Sequence, residues 1–118
     1  MVKKILAVDD SFEDLTAIKA TLSKAGYEVI TATNGAQALD ILAIEKVSLI
    51  LIDIKMPTFS GYDLLQIIRA KNNGNIPMIF ISIIPKAEAN TDQIDGFVQK
   101  PFSSQSLITE INRVLKSR

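Results

Sequence analysis

Leu49-Ile50-Leu51-Ile52-Asp53 is the stretch that decides the fold. Four apolar residues run without alternation and end on a carboxylate. A strand with one wet face alternates apolar and polar positions, so an unbroken run implies a strand covered on both faces. Met78-Ile79-Phe80-Ile81, ending at Ser82, repeats the pattern. Strands of this kind belong to parallel sheets whose crossovers lay helices over both faces.

Working outward, the remaining segments fit that sheet. Lys4 to Val8 reads as a strand ending at Asp9, Glu28 to Ala32 as another, and Gly96 to Gln99 as a short last one. Helical signals lie between them. Ser11 caps a helix with Asp14 three residues on; Leu15, Ile18 and Leu22 form its apolar face, and Gly26 stops it. Asn34 with Gln37 opens a second helix carrying Leu39, Leu42 and Ala43. Ser60 with Asp63 opens a third through Leu64, Leu65 and Ile68. Leu107, Ile108, Ile111, Val114 and Leu115 line the last. Strand followed by helix, about five times, predicts an α/β fold with a five-stranded parallel sheet and right-handed crossovers.

Composition narrows the chemistry. The 118 residues suit one domain, and 47% hydrophobic content supplies its core. Lys and Arg total 13, as do Asp and Glu, so nucleic-acid binding has no electrostatic support. Cysteine and histidine are both absent, which excludes disulfides, thiolate metal sites, imidazole catalysis and a phosphohistidine donor role. The basic start leads into only about four apolar residues before two aspartates, too few for a signal peptide, and no run approaches a membrane span. A cytoplasmic protein is the expectation.

In an open parallel sheet, ligands bind beyond the carboxyl ends of the strands. Those ends carry Asp9 and Asp10, Asp53, Ser82 and Lys100. Three carboxylates held together repel one another unless a hard divalent cation joins them, and Mg²⁺ prefers such oxygen ligands. The cation also lets an anionic phosphate approach an acidic pocket. Lys100 and Ser82 add a positive charge and a hydroxyl donor. A carboxylate can attack phosphorus and form an acyl phosphate. Singly, each residue has a plainer explanation: a turn at Asp9-Asp10, a strand-end cap at Asp53, a turn hydroxyl at Ser82, a solvated charge at Lys100, a core aromatic at Phe97. Convergence on one edge favours a site.

Asp9-Asp10 after the first strand, Asp53 followed by Met56-Pro57 and Gly61, Ser82, and Lys100-Pro101-Phe102 together resemble the receiver domains of bacterial two-component systems. The resemblance runs from Lys3 to Leu115. It implies a doubly wound, flavodoxin-like sheet of order 2-1-3-4-5. It implies Asp53 as phospho-acceptor, and Asp10 and Asp53 as Mg²⁺ ligands with Asp9 assisting and the Lys55 backbone carbonyl completing the set. Ser82 takes the place of the hydroxyl that moves to the phosphoryl group, Phe97 that of the switch aromatic, and Lys100-Pro101 that of the family's cis peptide. The implied partners are a histidine kinase or histidine phosphotransfer protein, and an unidentified downstream protein.

Two departures stand out. The span from Ser82 to Phe97 is about one helical turn too short for a full crossover, so the fourth helix is expected to be truncated or irregular. The residue after Ser82 is normally small in the family; here Ile83 and Ile84 follow. With Lys55 they are candidates for modulating access to the site; alternatively the two isoleucines cover core left open by the missing turn or form part of a partner site. The expected organisation is a single receiver domain over 1–118, with no output domain and output by protein contact. The alternative is a pseudo-receiver, the same fold acting as an interaction module without phosphorylation. A haloacid-dehalogenase-type phosphatase is disfavoured because Lys55, not an acid, stands two residues after Asp53. A flavodoxin-like flavin binder is disfavoured because Asp9-Asp10 repel a flavin phosphate.

Overall fold

The apolar runs read from the sequence become the strands of one sheet. The computed structural model describes residues 2–71 and 75–117. In chain order the elements are β1 (Lys4–Val8), α1 (Phe12–Lys24), β2 (Glu28–Ala32), α2 (Gly35–Ile44) and β3 (Leu49–Asp53). Then come α3 (Gly61–Ala70), β4 (Met78–Ser82), a 3-10 turn (Lys86–Glu88), β5 (Gly96–Gln99) and α4 (Ser104–Lys116). The strands are all parallel, in the order β2-β1-β3-β4-β5. The expected strand order and two-sided cover are both present. The fourth crossover holds only the 3-10 turn, so the expected truncation is complete among the described residues.

Alternate residues of each strand serve opposite faces, as the two-residue period requires. Ile5, Ala7, Leu49, Leu51, Ile79 and Ile81 pack against Leu15, Ile18 and Leu22 of α1 and Leu107, Ile111 and Val114 of α4. Leu6, Val8, Ile50, Ile52, Met78 and Phe80 face Ala38 of α2 and Leu64, Leu65 and Ile68 of α3. The unbroken apolar reading of β3 and β4 thus reports two cores, one on each side. On α2 the buried face is shifted from the expected one: Ala38 is buried, Leu39, Ile41 and Leu42 are half-buried, and Ala43 is exposed.

The caps set where each helix begins. Asn34 and Ser60 accept from the backbone N–H groups of Gln37 and Asp63. At α1 the expected capping box is only half made. Ser11 Oγ accepts from the Asp14 N–H at 3.2 Å, but the Ser11 N–H donates to Asp9 Oδ1 at 2.9 Å, leaving the Asp14 carboxylate free to turn elsewhere. A Ser103–Ser106 box opens α4 and was not foreseen, because serine replaces the usual Glu or Gln at the third helical position.

The register fixes the functional edge. Val8 pairs with Ile52, Asp53 with Ile81, and Ser82 with Gln99, so the residues that follow these pairs emerge together. Gly61 lets α3 begin directly against that edge: its N–H donates to Ile54 O at 2.9 Å, and a Cβ there would meet the Asp53 carbonyl and lie 2.8 Å from Ile54 Cα. Neither backbone atom can yield without moving the end of β3. Gly61→Ala is expected to destabilise the protein by roughly 2–4 kcal/mol, read by urea unfolding. A loss under about 0.5 kcal/mol would contradict the close approach.

Candidate functional site

Each side chain of the site is delivered by a strand end or by one of the first two residues beyond it. Asp9 follows β1 and is fully buried; its N–H donates to Ala32 O at 3.1 Å, continuing the ladder to β2. Asp53 closes β3 and is buried, while Asp10 is exposed at the mouth. One carboxylate oxygen from each of the three lies within 4.8 Å of the others. Lys100 follows β5, its N–H donating to Ser82 O at 2.8 Å, and the Lys100-Pro101 peptide is cis as the resemblance implied. Its Nζ lies 2.8 Å from Asp9 Oδ2, 2.8 Å from Asp14 Oδ2 and 3.6 Å from Asp53 Oδ1.

Burial and like charge govern the protonation of this group. Burial raises the Asp53 carboxyl to about 7; the Asp9 and Asp10 charges push the same way, and Lys100 pulls it down only in part. Burial raises Asp9 as well, against the lowering effect of the hydrogen bond from Lys100. Burial alone would lower the Lys100 ammonium, but hydrogen bonds to Asp14 and Asp9, with the charges of Asp9 and Asp53, outweigh it and hold it above its usual value. Even with Lys100 in place, the cluster carries an excess of negative charge.

The fit to a metal follows from the donor set. The cluster offers oxygen ligands only, from two buried carboxylates and one at the mouth, where water can complete a shell. Hard oxygen donors with open positions suit Mg²⁺, which keeps several waters, and not a soft metal.

Ser82 is fully buried, and its Oγ accepts from the Ile84 N–H at 3.0 Å. Gln99 Nε2 donates to the carbonyls of Ser82, Ile83 and Lys100 at 3.0, 3.1 and 3.3 Å, tying the loop after β4 to β5. Phe97 is half-buried against the α2–α3 face, and its N–H donates to Glu110 Oε2 at 2.8 Å. Ile83 is exposed, whereas Ile84 packs onto the same core face and lines a cleft with Ile54, Met56, Pro57 and Tyr62. Of the two isoleucines, therefore, only Ile84 covers core. Lys55 is exposed beside that cleft.

Residues 5–112 match the response regulator receiver domain family. The chain belongs to that family. Its fold is that of the Vibrio cholerae chemotaxis protein CheY4, with a TM-score of 0.90 and 29% identity over 97% of this chain and 99% of that one. Similar too is Thermotoga maritima response regulator TrrA, solved in complex with Mg(2+)-BeF, with a TM-score of 0.87 and 29% identity over 96% and 99% of the two chains. A probable transcriptional regulator, ycf27, of Cyanophora paradoxa is 34% identical over 97% of this chain and 48% of its own length. The chain spans about half the length of the curated relatives it matches.

The receiver thus brings Asp9, Asp10, Asp53 and Lys100 together as read from the sequence, with Ser82 at the neighbouring strand end. Sequence reasoning missed two residues. Asp14 reads locally as a cap, and only the fold brings Lys100 to its carboxylate. Gln99 gave none, because its role depends on three carbonyls from two separate loops.

Metal-free stability carries the signature of Asp53. Its carboxyl titrates near 4 in the unfolded chain and at about 7 in the folded one. Between those values the folded state binds the extra proton, so stability falls as pH rises through the window. In EDTA, Asp53→Asn is expected to gain on the wild type from pH 4 to pH 8, reaching roughly 1–3 kcal/mol after solvent screening. Urea unfolding at both pH values checks it; an unchanged gap would contradict the assignment.

Proposed function

We propose that this receiver is a phosphorylation-driven switch, accepting a phosphoryl group on Asp53 from a histidine kinase or histidine phosphotransfer protein, with Mg²⁺ held by the acidic cluster. The observation that carries the reading is the Lys100 ammonium, held against buried Asp9 and 3.6 Å from Asp53, over a cluster still short of positive charge. The Mg(2+)-BeF complex of TrrA, a protein of the same fold, supports it.

An Asp53 Oδ atom attacks phosphorus, and the phosphorus–nitrogen bond to the donor imidazole breaks. The leaving nitrogen keeps the electron pair, and the ring departs neutral when its other nitrogen carries a proton. Asp10 and Asp53, with Asp9 assisting and the Lys55 carbonyl, would hold Mg²⁺, which when bound would supply positive charge to offset the carboxylates and the incoming phosphoryl group. Lys100 pairs with a phosphoryl oxygen. Ser82 keeps an O–H free to donate to another, since its Oγ accepts from Ile84 at rest. Turning that hydroxyl inward alters the loop after β4, and Phe97 on β5 responds. The new charge thereby shifts the population of a surface on β4, β5 and their flanking segments. The chain acts as one receiver unit in the cytoplasm, and its output is contact with another protein.

A pseudo-receiver is favoured by two features, the exposed Ile83 beside Ser82 and the fourth crossover reduced to the 3-10 turn Lys86–Glu88. Acetyl phosphate with Mg²⁺, followed by intact mass measurement, separates the two readings. One phosphoryl adduct is expected on the wild type, and none on Asp53→Asn or in EDTA. Failure with acetyl phosphate and with a panel of kinases would leave the pseudo-receiver. If Ile83 crowds the donor and water, Ile83→Ala raises both the phosphorylation and hydrolysis rates by roughly two- to tenfold. Unchanged rates would remove Ile83 from the access path.

A further inference from the structure

Lys100 is shared unequally. An ammonium has three N–H donors. Two of its contacts are 2.8 Å, to Asp9 and Asp14, and the third, to Asp53, is 3.6 Å. Asp14 stands outside the metal-binding cluster, in the first turn of α1, and is partly exposed. An acid there ordinarily serves its own helix, through the capping box or the N-terminal dipole. Here the box stays half made: Ser11 N–H goes to Asp9, and the Asp14 carboxylate meets a cation contributed from beyond β5. The ammonium is thus shared with a partly exposed carboxylate outside the cluster, while its longest contact is the one to Asp53.

We propose that Asp14 is a positioning residue that restrains Lys100, holding its ammonium off Asp53 in the resting protein and competing for it with the incoming phosphoryl group. The proposal rests on the reading of Asp53 as acceptor. Two opposed effects follow. A restrained Lys100 leaves Asp53 freer to hold a divalent cation, because ammonium and metal compete for the same oxygens. The same restraint slows transfer, because the ammonium must leave Asp14 before it can pair with phosphoryl oxygen. Asp14 trades tighter Mg²⁺ binding against slower phosphorylation.

Removing any nearby negative charge would also weaken Mg²⁺ binding, so the control must carry the same charge without the contact. Glu13 is suited to this: it lies on the same first turn, is exposed, and has no ion pair among the described residues. The set is wild type, Asp14→Asn, Glu13→Gln, Lys100→Ala and the Asp14→Asn/Lys100→Ala double variant. Three quantities are read: the acetyl phosphate rate at saturating Mg²⁺, the Mg²⁺ Kd from thermal-shift titration, and the Lys100 ¹⁵Nζ ammonium resonance.

Asp14→Asn is expected to be phosphorylated roughly three- to tenfold faster and to bind Mg²⁺ roughly two- to fivefold more weakly. Its Lys100 resonance moves, while in Glu13→Gln the resonance stays and the rate and Kd hold within about twofold. In the Lys100→Ala background the Asp14→Asn changes vanish, since nothing is left to restrain. The proposal is overturned if Asp14→Asn matches Glu13→Gln, or if its effects persist without Lys100. If no variant takes a phosphoryl group, the acceptor reading fails separately. The Mg²⁺ cycle then decides: coupling between Asp14 and Lys100 sustains the restraint, and its absence overturns it.

Discussion

Two carboxylates withdrawn from water at the ends of adjacent strands are the constraint on which this receiver is built. Burying an ionised group is unfavourable unless it is paired, and burying two side by side is worse. The parallel register leaves no alternative, because pairing Val8 with Ile52 brings Asp9 and Asp53 to the same level. The fold answers with Lys100, carried to within 2.8 Å of Asp9 by a strand two places away from β3 in the sheet. That answer is partial, since Asp53 still titrates at about 7. What remains is a standing demand for positive charge, and in chemical terms that demand is the site. Hydrophobic packing on both faces holds the strand ends where the demand cannot relax.

The same logic explains why most of the molecule was legible in the sequence. Strands buried on both faces must be apolar throughout, so β3 and β4 announce themselves, and the polar residue that ends each run marks the ligand edge. Caps are local, and Asn34 and Ser60 were readable because their partners lie three residues on. Legibility ended where a side chain had two local explanations. The Asp14 backbone obeys the cap while its carboxylate crosses to Lys100, and only the tertiary fold brings that lysine near. The face of α2 slipped for a related reason. Apolar residues nearly surround the helix, so the choice of Ala38 over Ala43 for the core is made by packing against the sheet.

The fourth crossover shows what a missing helix requires. A helix satisfies its own backbone groups, whereas an irregular segment must borrow partners. Here α3 lends two of them. Arg69 donates to Gln93 O at 3.0 Å, and Tyr62 Oη accepts from the Asn90 N–H at 3.0 Å. Asp95, at the end of the crossover, accepts from the Met78 N–H at 2.9 Å. Ile84, Ala89 and Ile94 fill the apolar place of the absent turns, and Tyr62 meets Phe80 edge-on at 5.4 Å. Side chains of a neighbouring helix therefore anchor the segment at discrete points.

That anchoring changes how a switch in this receiver would be transmitted. A complete helix moves as a body, and a signal entering at one end reaches the other. A segment pinned at separate side chains yields first at its weakest tether. The tethers nearest the site are Ser82 Oγ with the Ile84 N–H, and Gln99 Nε2 with the Ile83 carbonyl. Under the proposed function, turning the Ser82 hydroxyl toward the phosphoryl group disturbs the first and leaves the second in place. Ile84 is then freed from Ser82, while Gln99 still holds the loop to β5. The response is concentrated on the cleft that Ile84 shares with Met56, Pro57 and Tyr62, next to the pocket. The shortened crossover, on this view, relocates the responsive surface toward the site instead of abolishing it.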